Sequence, residues 1–397
     1  MHTPITPREH LLYIYNNTLN AVNGRKTVAA YLRQYPYTAP FALIAIGKAA
    51  TQMTAGAFDV SHISHALLIT KYGHLDKSLV QGYPITCLEA AHPVPDASSL
   101  AAGQALLYFI KNLPPNYPVL FLISGGASAL VEVLAPGISL ADLQKVNRWL
   151  LASGLDIHAI NQIRKSLSAI KGGRLASYLQ GHRVLNLLIS DVPGDNLQAI
   201  GSGLLTPHEQ LPMDALPDWL RTLIAQAHPE PACFTNITQH IIARPVTARQ
   251  AACEVAKVYN HETLIVGEAE QAGRTLARQL CAAKSGIYIW SSETTVHLPE
   301  NPGQGGRCQH LALAAACECA GRDDVFLLAA GTDGNDGPGE VAGALIDGGT
   351  LARGKGLDAQ QCLEKADAGR FLAASGDLIY TGPTGTNVMD VLIGLKI

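Results

Sequence analysis

Five times in this chain a short, almost wholly apolar run stops abruptly at a turn of glycines, hydroxyls and charged residues. The runs are Phe41–Ile46, Val119–Ile123, Val184–Ser190, Val325–Ala330 and Leu378–Tyr380. Apolar stretches of strand length bounded by turn residues read as strands buried on both faces, the kind found inside a parallel sheet. Further strands are predicted at Ala66–Thr70, Thr263–Val266, Gly286–Trp290 and Thr294–Leu298. Helix-sized segments lie between them. Residues 8–22 place Leu11, Tyr15, Leu19 and Val22 on one face. Asp96 caps a helix from Ala97, Ser139 and Asp142 approach a capping box, Asp156 begins another helix, and Glu268–Ala283 forms one more. A further helix is placed around 214–228. This alternation predicts an α/β protein built as two Rossmann-like α/β/α domains with mostly parallel sheets. The proline-rich, polar segment 206–250 marks the transition, which gives domains at 1–235 and 236–397. The last apolar run, Val391–Leu395, is open to returning to the first domain.

The totals exclude several classes. A net charge of −3 makes no sequence-wide case for nucleic-acid binding. The longest apolar runs are far short of a membrane span, and Met1–Pro7 lacks a signal-peptide pattern. Eight cysteines include no Cys-x-x-Cys pair, which suits reduced thiols in a cytoplasmic protein. The 14 histidines form no His-Glu-x-x-His set.

Open α/β sheets hold ligands beyond the carboxyl ends of their strands, so the turns carry the candidates. Lys48 follows Gly47 at a helix start, where a cation opposes the macrodipole. It is either a solvated lysine or a cation with a use. Ser124-Gly125-Gly126-Ala127-Ser128 makes an anion cradle. Asp191 and Asp195 flank a Val-Pro-Gly turn. Arg164, Lys165, Lys171 and Arg174 form a basic group, and Arg164 and Lys171 share a face if their helix persists that far. Arg307 after Gly305-Gly306 offers a guanidinium beside backbone donors, or else a salt bridge. Asp333 and Asp336 are carboxylates for a hard metal, or plain turn formers. An EF-hand fails because Ala344 stands where its bidentate glutamate belongs. There is no Walker A motif, no strand-following Gly-x-Gly-x-x-Gly, and no Gly-x-Ser-x-Gly, so Ser128 is a weak nucleophile. Cations, acids and hydroxyl turns together suit phosphoryl transfer, which depends on positioning and charge stabilisation.

Six stretches taken together resemble the glycerate 2-kinase family, whose C-terminal half is the MOFRL domain. They are Ser124–Leu130, Asn161–Leu175, Ser190–Asp195, Gly305–Arg307, Gly331–Pro338 and Thr381–Asn387. Ala91–Asp96 and Gly47–Ala49 match as well. The resemblance implies ATP-dependent phosphorylation of D-glycerate to 2-phosphoglycerate with Mg²⁺, and an active site in a cleft between two α/β domains. Lys48 and Arg307 match the family's cationic pair; with them we expect Asp191 as a catalytic group and Asp191, Asp333 and Asp336 as metal ligands, the sequence not dividing the roles of base and metal holder between the acids. Substrate or nucleotide would be held by Lys71, Ser124, Gly125, Gly126, Ser128, Asn161, Arg164, Lys171, Gly305, Gly306, Thr332, Thr384 and Asn387. The partners are then small molecules, D-glycerate and ATP, with no nucleic acid and no membrane, and a homodimer is left open. The chain departs from the family pattern at Ala127, Ser166, Ser291-Ser292, Cys308 and His310, which bears on the acceptor more than on the reaction. The rival readings are an NAD(P)H-dependent hydroxypyruvate reductase, a kinase of another small sugar acid, and a binding protein without catalysis.

Overall fold

The computed structural model describes residues 6–37, 39–155, 157–207, 216–226 and 232–397. The predicted helix start at Asp156 lies outside them. The chain forms two compact units, one from Thr27–Ile242 and one from Met1–Lys26 with Ala243–Ile397. Helix α1 (Pro7–Ala21) therefore belongs with the C-terminal part, and the unit boundary falls within α2 (Gly24–Gln34). This departs from a single division at 235/236: the first helix changes unit, not the last strand. The cause is the apolar face of α1, where Leu11, Ile14, Tyr15 and Leu19 are buried. The Tyr15 hydroxyl donates to the Gly331 carbonyl at 2.7 Å.

The continuous unit holds a six-stranded sheet of order β3-β2-β1-β4-β5-β6. Its strands are β1 (Phe41–Ile46), β2 (Ile63–Lys71), β3 (Ile85–Ala90), β4 (Val119–Ile123), β5 (Val184–Ile189) and β6 (Ile237–Ala243). The first five pair in parallel. β1, β4 and β5 are buried along their whole length, which explains why their sequences are apolar apart from Asn186 of β5, whose amide donates to Gln239 Oε1 at 2.9 Å. Helices α3 (Ala50–Phe58) and α4 (Ala97–Lys111) follow β1 and β3. Asp96 caps α4 with the predicted geometry, its carboxylate accepting from Ser98 N–H at 2.8 Å. A single turn, α5 (Ala127–Leu130), follows β4. Leu106 and Ile110 of α4 pack with Ile44, Leu67 and Phe121 of the strands in one core. A satellite cluster joins α6 (Leu140–Ala152), α7 (Ile157–Ser166) and α8 (Asp218–Gln226) through Val146, Leu150, Ile163 and Leu220.

The other unit is also α/β, but its sheet is mixed. β7 (Val258–Asn260) and β8 (Ile265–Glu268) pair in parallel with β9 (Gly286–Thr295). β10 (Val325–Gly331) lies between β11 (Gly343–Asp347) and β13 (Asp390–Lys396), antiparallel to both, and β12 (Leu378–Ile379) extends the β11 edge. So the parallel arrangement expected around Val325–Ala330 does not occur there. Two-face burial makes a strand apolar throughout but carries no information on the direction of its neighbours. Here the cover comes from α1 and α9 (Pro245–Val255), and from α10 (Ala269–Ala282) and α11 (Arg307–Cys319). Leu276 and Leu280 of α10 and Leu311 and Leu313 of α11 share a core with Trp290, Leu327 and Leu392. The strand predicted at 286–290 and the first two residues of the one predicted at 294–298 are one strand, β9, which ends at Thr295. Ser291 and Ser292 interrupt the hydropathy but are buried within it.

Candidate functional site

In the continuous unit the strand order reverses direction between β1 and β4, which makes their carboxyl ends the switch point of a doubly wound sheet. Both ends are glycine turns, and they are tied together. Lys48 N–H donates to the Gly125 carbonyl at 2.9 Å, and Ala49 N–H donates to Ser124 Oγ at 3.1 Å. Ser124 is fully buried, so its hydroxyl braces the turn. Gly126 has φ +89°, and a Cβ there would fall 3.1 Å from the His92 ring and 3.3 Å from Lys48 Cγ. His92 and the Lys48 stem therefore converge on this glycine, and its left-handed φ favours a residue without a side chain. Lys48 lies in the turn two residues before α3 rather than at its first position. Ser128 Oγ lies 2.6 Å from Ser202 Oγ. Lys71 ends β2, and Asp191 follows β5, both half-buried at the same end of the sheet.

Beside this turn opens a cavity of about 400 Å³ lined by His92, Gly126, Ser128, Glu132, Asn147, Arg164 and Lys171, among others. Arg164 and Lys171 do face one space, although not as one helical face. α7 ends at Ser166, and Lys171 is delivered by the turn that follows, where Gly172 and Gly173 are left-handed. Arg164 Nε donates to Asn147 Oδ1 at 2.9 Å, and burial holds its guanidinium below the ordinary arginine value. Lys171 donates to Glu132 Oε2 at 2.5 Å, and both residues are buried. Glu132, Asn147 and His92 are absent from the sequence-derived set. His92 was visible in its proline loop, whereas no local spacing signals the other two. Asn161 is half-buried on α7. Lys165 and Arg174 donate to backbone carbonyls of Gln198 and Lys165, which makes them braces of the same turns.

The second unit gathers its polar residues where β9 and β10 end and β13 begins. Arg307, first residue of α11, is clamped there. Its Nε donates to Asp390 Oδ2 at 2.5 Å and its Nη2 to Asp390 Oδ1 at 3.0 Å, and Nη1 lies 2.6 Å from Glu293 Oε1. Burial alone would lower its pKa. The hydrogen bonds and charge of Asp390, with the charge of Glu293, overcome this and raise it above the ordinary range. The salt-bridge alternative for Arg307 is thus realised, with two acids that sequence reasoning missed.

Asp336 is 4% exposed, and its carboxylate accepts from Cys308 N–H at 2.9 Å and Gln309 N–H at 2.7 Å. Gln309 Nε2 donates to it as well, at 3.0 Å. Both oxygens accept hydrogen bonds at the start of α11, where the macrodipole favours an anion, so in this structure Asp336 caps that helix. Asp333 is different: its Oδ1 accepts from Asn335 N–H at 3.0 Å. Mg²⁺ in phosphate-handling sites takes one or two carboxylates and keeps several waters. Asp191 offers one carboxylate in its own unit and Asp333 one in the other, and among the described residues no group of three or more His, Cys, Asp or Glu is gathered for a metal. Gly305 and Gly306 open α11. The Thr332 hydroxyl donates to the Met389 carbonyl at 2.6 Å and accepts from Val388 N–H at 2.8 Å, which ties β10 to the last loop. Thr384 Oγ1 donates to the Thr332 carbonyl at 2.5 Å, and Asn387 is buried beside these residues. Among the described residues no helix is long and apolar enough to cross a membrane.

A doubly wound sheet with cation-bearing glycine turns at its switch point, joined to a mixed α/β unit, defines a ligand-binding α/β protein. The family described as Domain of unknown function (DUF4147) matches residues 10–237, and the MOFRL family matches residues 286–390. A D-glycerate 2-kinase of Thermotoga maritima is 38% identical over 89% of this chain and 90% of its own. A glycerate 2-kinase of Pyrococcus horikoshii is 33% identical over 96% and 93%. A relative from Agrobacterium vitis, 35% identical over 88% of this chain, carries a provisional hydroxypyruvate reductase name. The crystal structure of a Thermotoga maritima glycerate kinase superposes with a TM-score of 0.86 at 35% identity, covering 98% of this chain and 99% of that one. The chain belongs to the MOFRL-domain glycerate 2-kinase family.

Proposed function

We propose that this enzyme transfers the γ-phosphoryl group of ATP to the 2-hydroxyl of D-glycerate, giving 2-phosphoglycerate and ADP. The observation that carries this reading is the cavity holding Arg164 and Lys171 beside the Lys48–Gly126 turn, in a chain alike over most of its length to proteins named glycerate 2-kinase. In this reading the Arg164 fork takes the glycerate carboxylate. The bond formed joins the 2-oxygen to phosphorus, and the bond broken is the one from that phosphorus to the β-phosphate oxygen. Asp191, at the carboxyl end of β5, accepts the hydroxyl proton. Lys48 neutralises charge that builds on the phosphoryl oxygens in transit, the main form of catalysis such a transfer needs. Mg²⁺, when bound, would offset phosphate charge. Arg307 orders Asp390 and Glu293 at its own end of the mixed sheet.

The test is the purified chain with ATP, Mg²⁺ and D-glycerate, followed by ³¹P NMR, which separates the 2- from the 3-phosphate ester. 2-Phosphoglycerate is expected, and Lys48→Ala should lower kcat by about 10²–10³-fold with an unchanged melting curve. Formation of the 3-ester, or of neither ester, overturns the proposal. Oxidation of NAD(P)H by hydroxypyruvate would favour the reductase, although no Gly-x-Gly-x-x-Gly follows any strand here.

A further inference from the structure

The cavity beside Gly126 contains a buried acid that the transfer itself does not employ. Glu132 is 2% exposed and Lys171 is 3% exposed. Oε2 of Glu132 takes the lysine, while Oε1 has no hydrogen-bond partner among the described residues. An ionised carboxylate accepts on both oxygens, and a buried acceptor left empty is costly.

The position of Glu132 is fixed rather than incidental. Its N–H donates to the Ser99 carbonyl at 3.0 Å, and Gly103 of α4 packs so close that a Cβ there would strike the Glu132 carbonyl. Lys171 is held from behind, its N–H donating to Ser168 Oγ at 3.2 Å. Of the lining residues the charged ones are Glu132, Arg164 and Lys171, a sum of one positive charge, which suits a monoanion. A carboxylate ligand must turn its charge toward Arg164 and away from Glu132. What Glu132 then requires is a neutral donor on the same small molecule, and a hydroxyl is that donor.

We infer that Glu132 selects the substrate, its Oε1 accepting a hydrogen bond from the 3-hydroxyl of glycerate while Lys171 holds the Glu132 side chain in place. This deepens the glycerate reading and rests on it. A site built to bind a hydroxyl discriminates strongly against the analogue that lacks it, because its own buried group is then left unpaired. D-Lactate is that analogue, with the same configuration and a methyl in place of the 3-carbinol.

The experiment is calorimetric titration of the intact chain with D-glycerate and with D-lactate. The wild type should bind D-glycerate at least about 30-fold more tightly. Two variants follow: Glu132→Gln, and the pair Glu132→Met with Lys171→Met, which removes both charges together. In each, the preference should fall to about 3-fold or less. Equal affinities in the wild type, binding of neither acid, or an undiminished preference in a folded variant overturns the inference. So does a Glu132→Gln enzyme that loses kcat but keeps the preference, since that marks an acceptor of the 2-hydroxyl proton. If a variant does not fold, the wild-type comparison still decides. Preferential binding without phosphoglycerate formation sinks the kinase reading and leaves this one standing; phosphoglycerate formation without preference does the reverse.

Discussion

Asp333 and Asp336 lie three residues apart in one glycine-rich turn, and both are buried, yet their hydrogen bonding differs, Asp336 capping α11 and Asp333 accepting from Asn335 N–H. Burial, and then the charge of Asp390, push the Asp336 carboxyl up to about 6 from an ordinary 3.8, against the pull of the Cys308 and Gln309 donors. Because the folded value is the higher one, the native state keeps a proton that the unfolded chain has already lost. The contribution of Asp336 to stability is therefore greatest below about pH 4, declines as pH rises to about 6, and is level above that. Urea unfolding of the wild type and of Asp336→Asn from pH 4 to 7 should show the wild type losing up to about 3 kcal/mol relative to the variant. A difference independent of pH would mean that the helix-start donors, not burial, govern this acid.

At the scale of elements, the turns were the legible part of the site, because their chemistry is local. Gly334 has φ +85°, and a Cβ on it would land on the Gly382 carbonyl oxygen. Gly334→Ala should destabilise the chain by about 2 kcal/mol or more, read as a lowered urea midpoint at unchanged slope. An unchanged midpoint would show that the 381–385 loop yields freely. The pairs that complete each turn were not legible. Arg307 finds Asp390 83 residues away, and Lys171 finds Glu132 39 residues away, so no spacing rule connects them. The same limit explains the strands. Two-face burial was plain at Val325–Ala330, but strand direction depends on partners far along the chain. Edge strands such as β3 and β6, partly exposed and mixed in sequence, gave no continuous apolar signal.

At the scale of the whole molecule, the two units differ in how they are strung. Residues 27–242 form one uninterrupted unit with its own sheet and core. A fragment of those residues should melt cooperatively in circular dichroism. Residues 243–397 lack α1, whose Leu11, Ile14 and Tyr15 are fully buried in the unit they share. That fragment should gain a cooperative transition only when a peptide of residues 1–26 is added. A sharp transition without the peptide would show that α1 is an accessory of the mixed sheet rather than part of its core.

The early docking helix has a consequence for how the protein is made. α1 leaves the ribosome more than about 300 residues before the strands that receive it, β10 and β13. At cellular elongation rates the delay is on the order of tens of seconds. Throughout that interval an amphipathic helix with a buried tyrosine in its eventual fold must wait in solvent while the uninterrupted unit assembles. The apolar face of α1 is thus without its cover until β10 and β13 have both emerged.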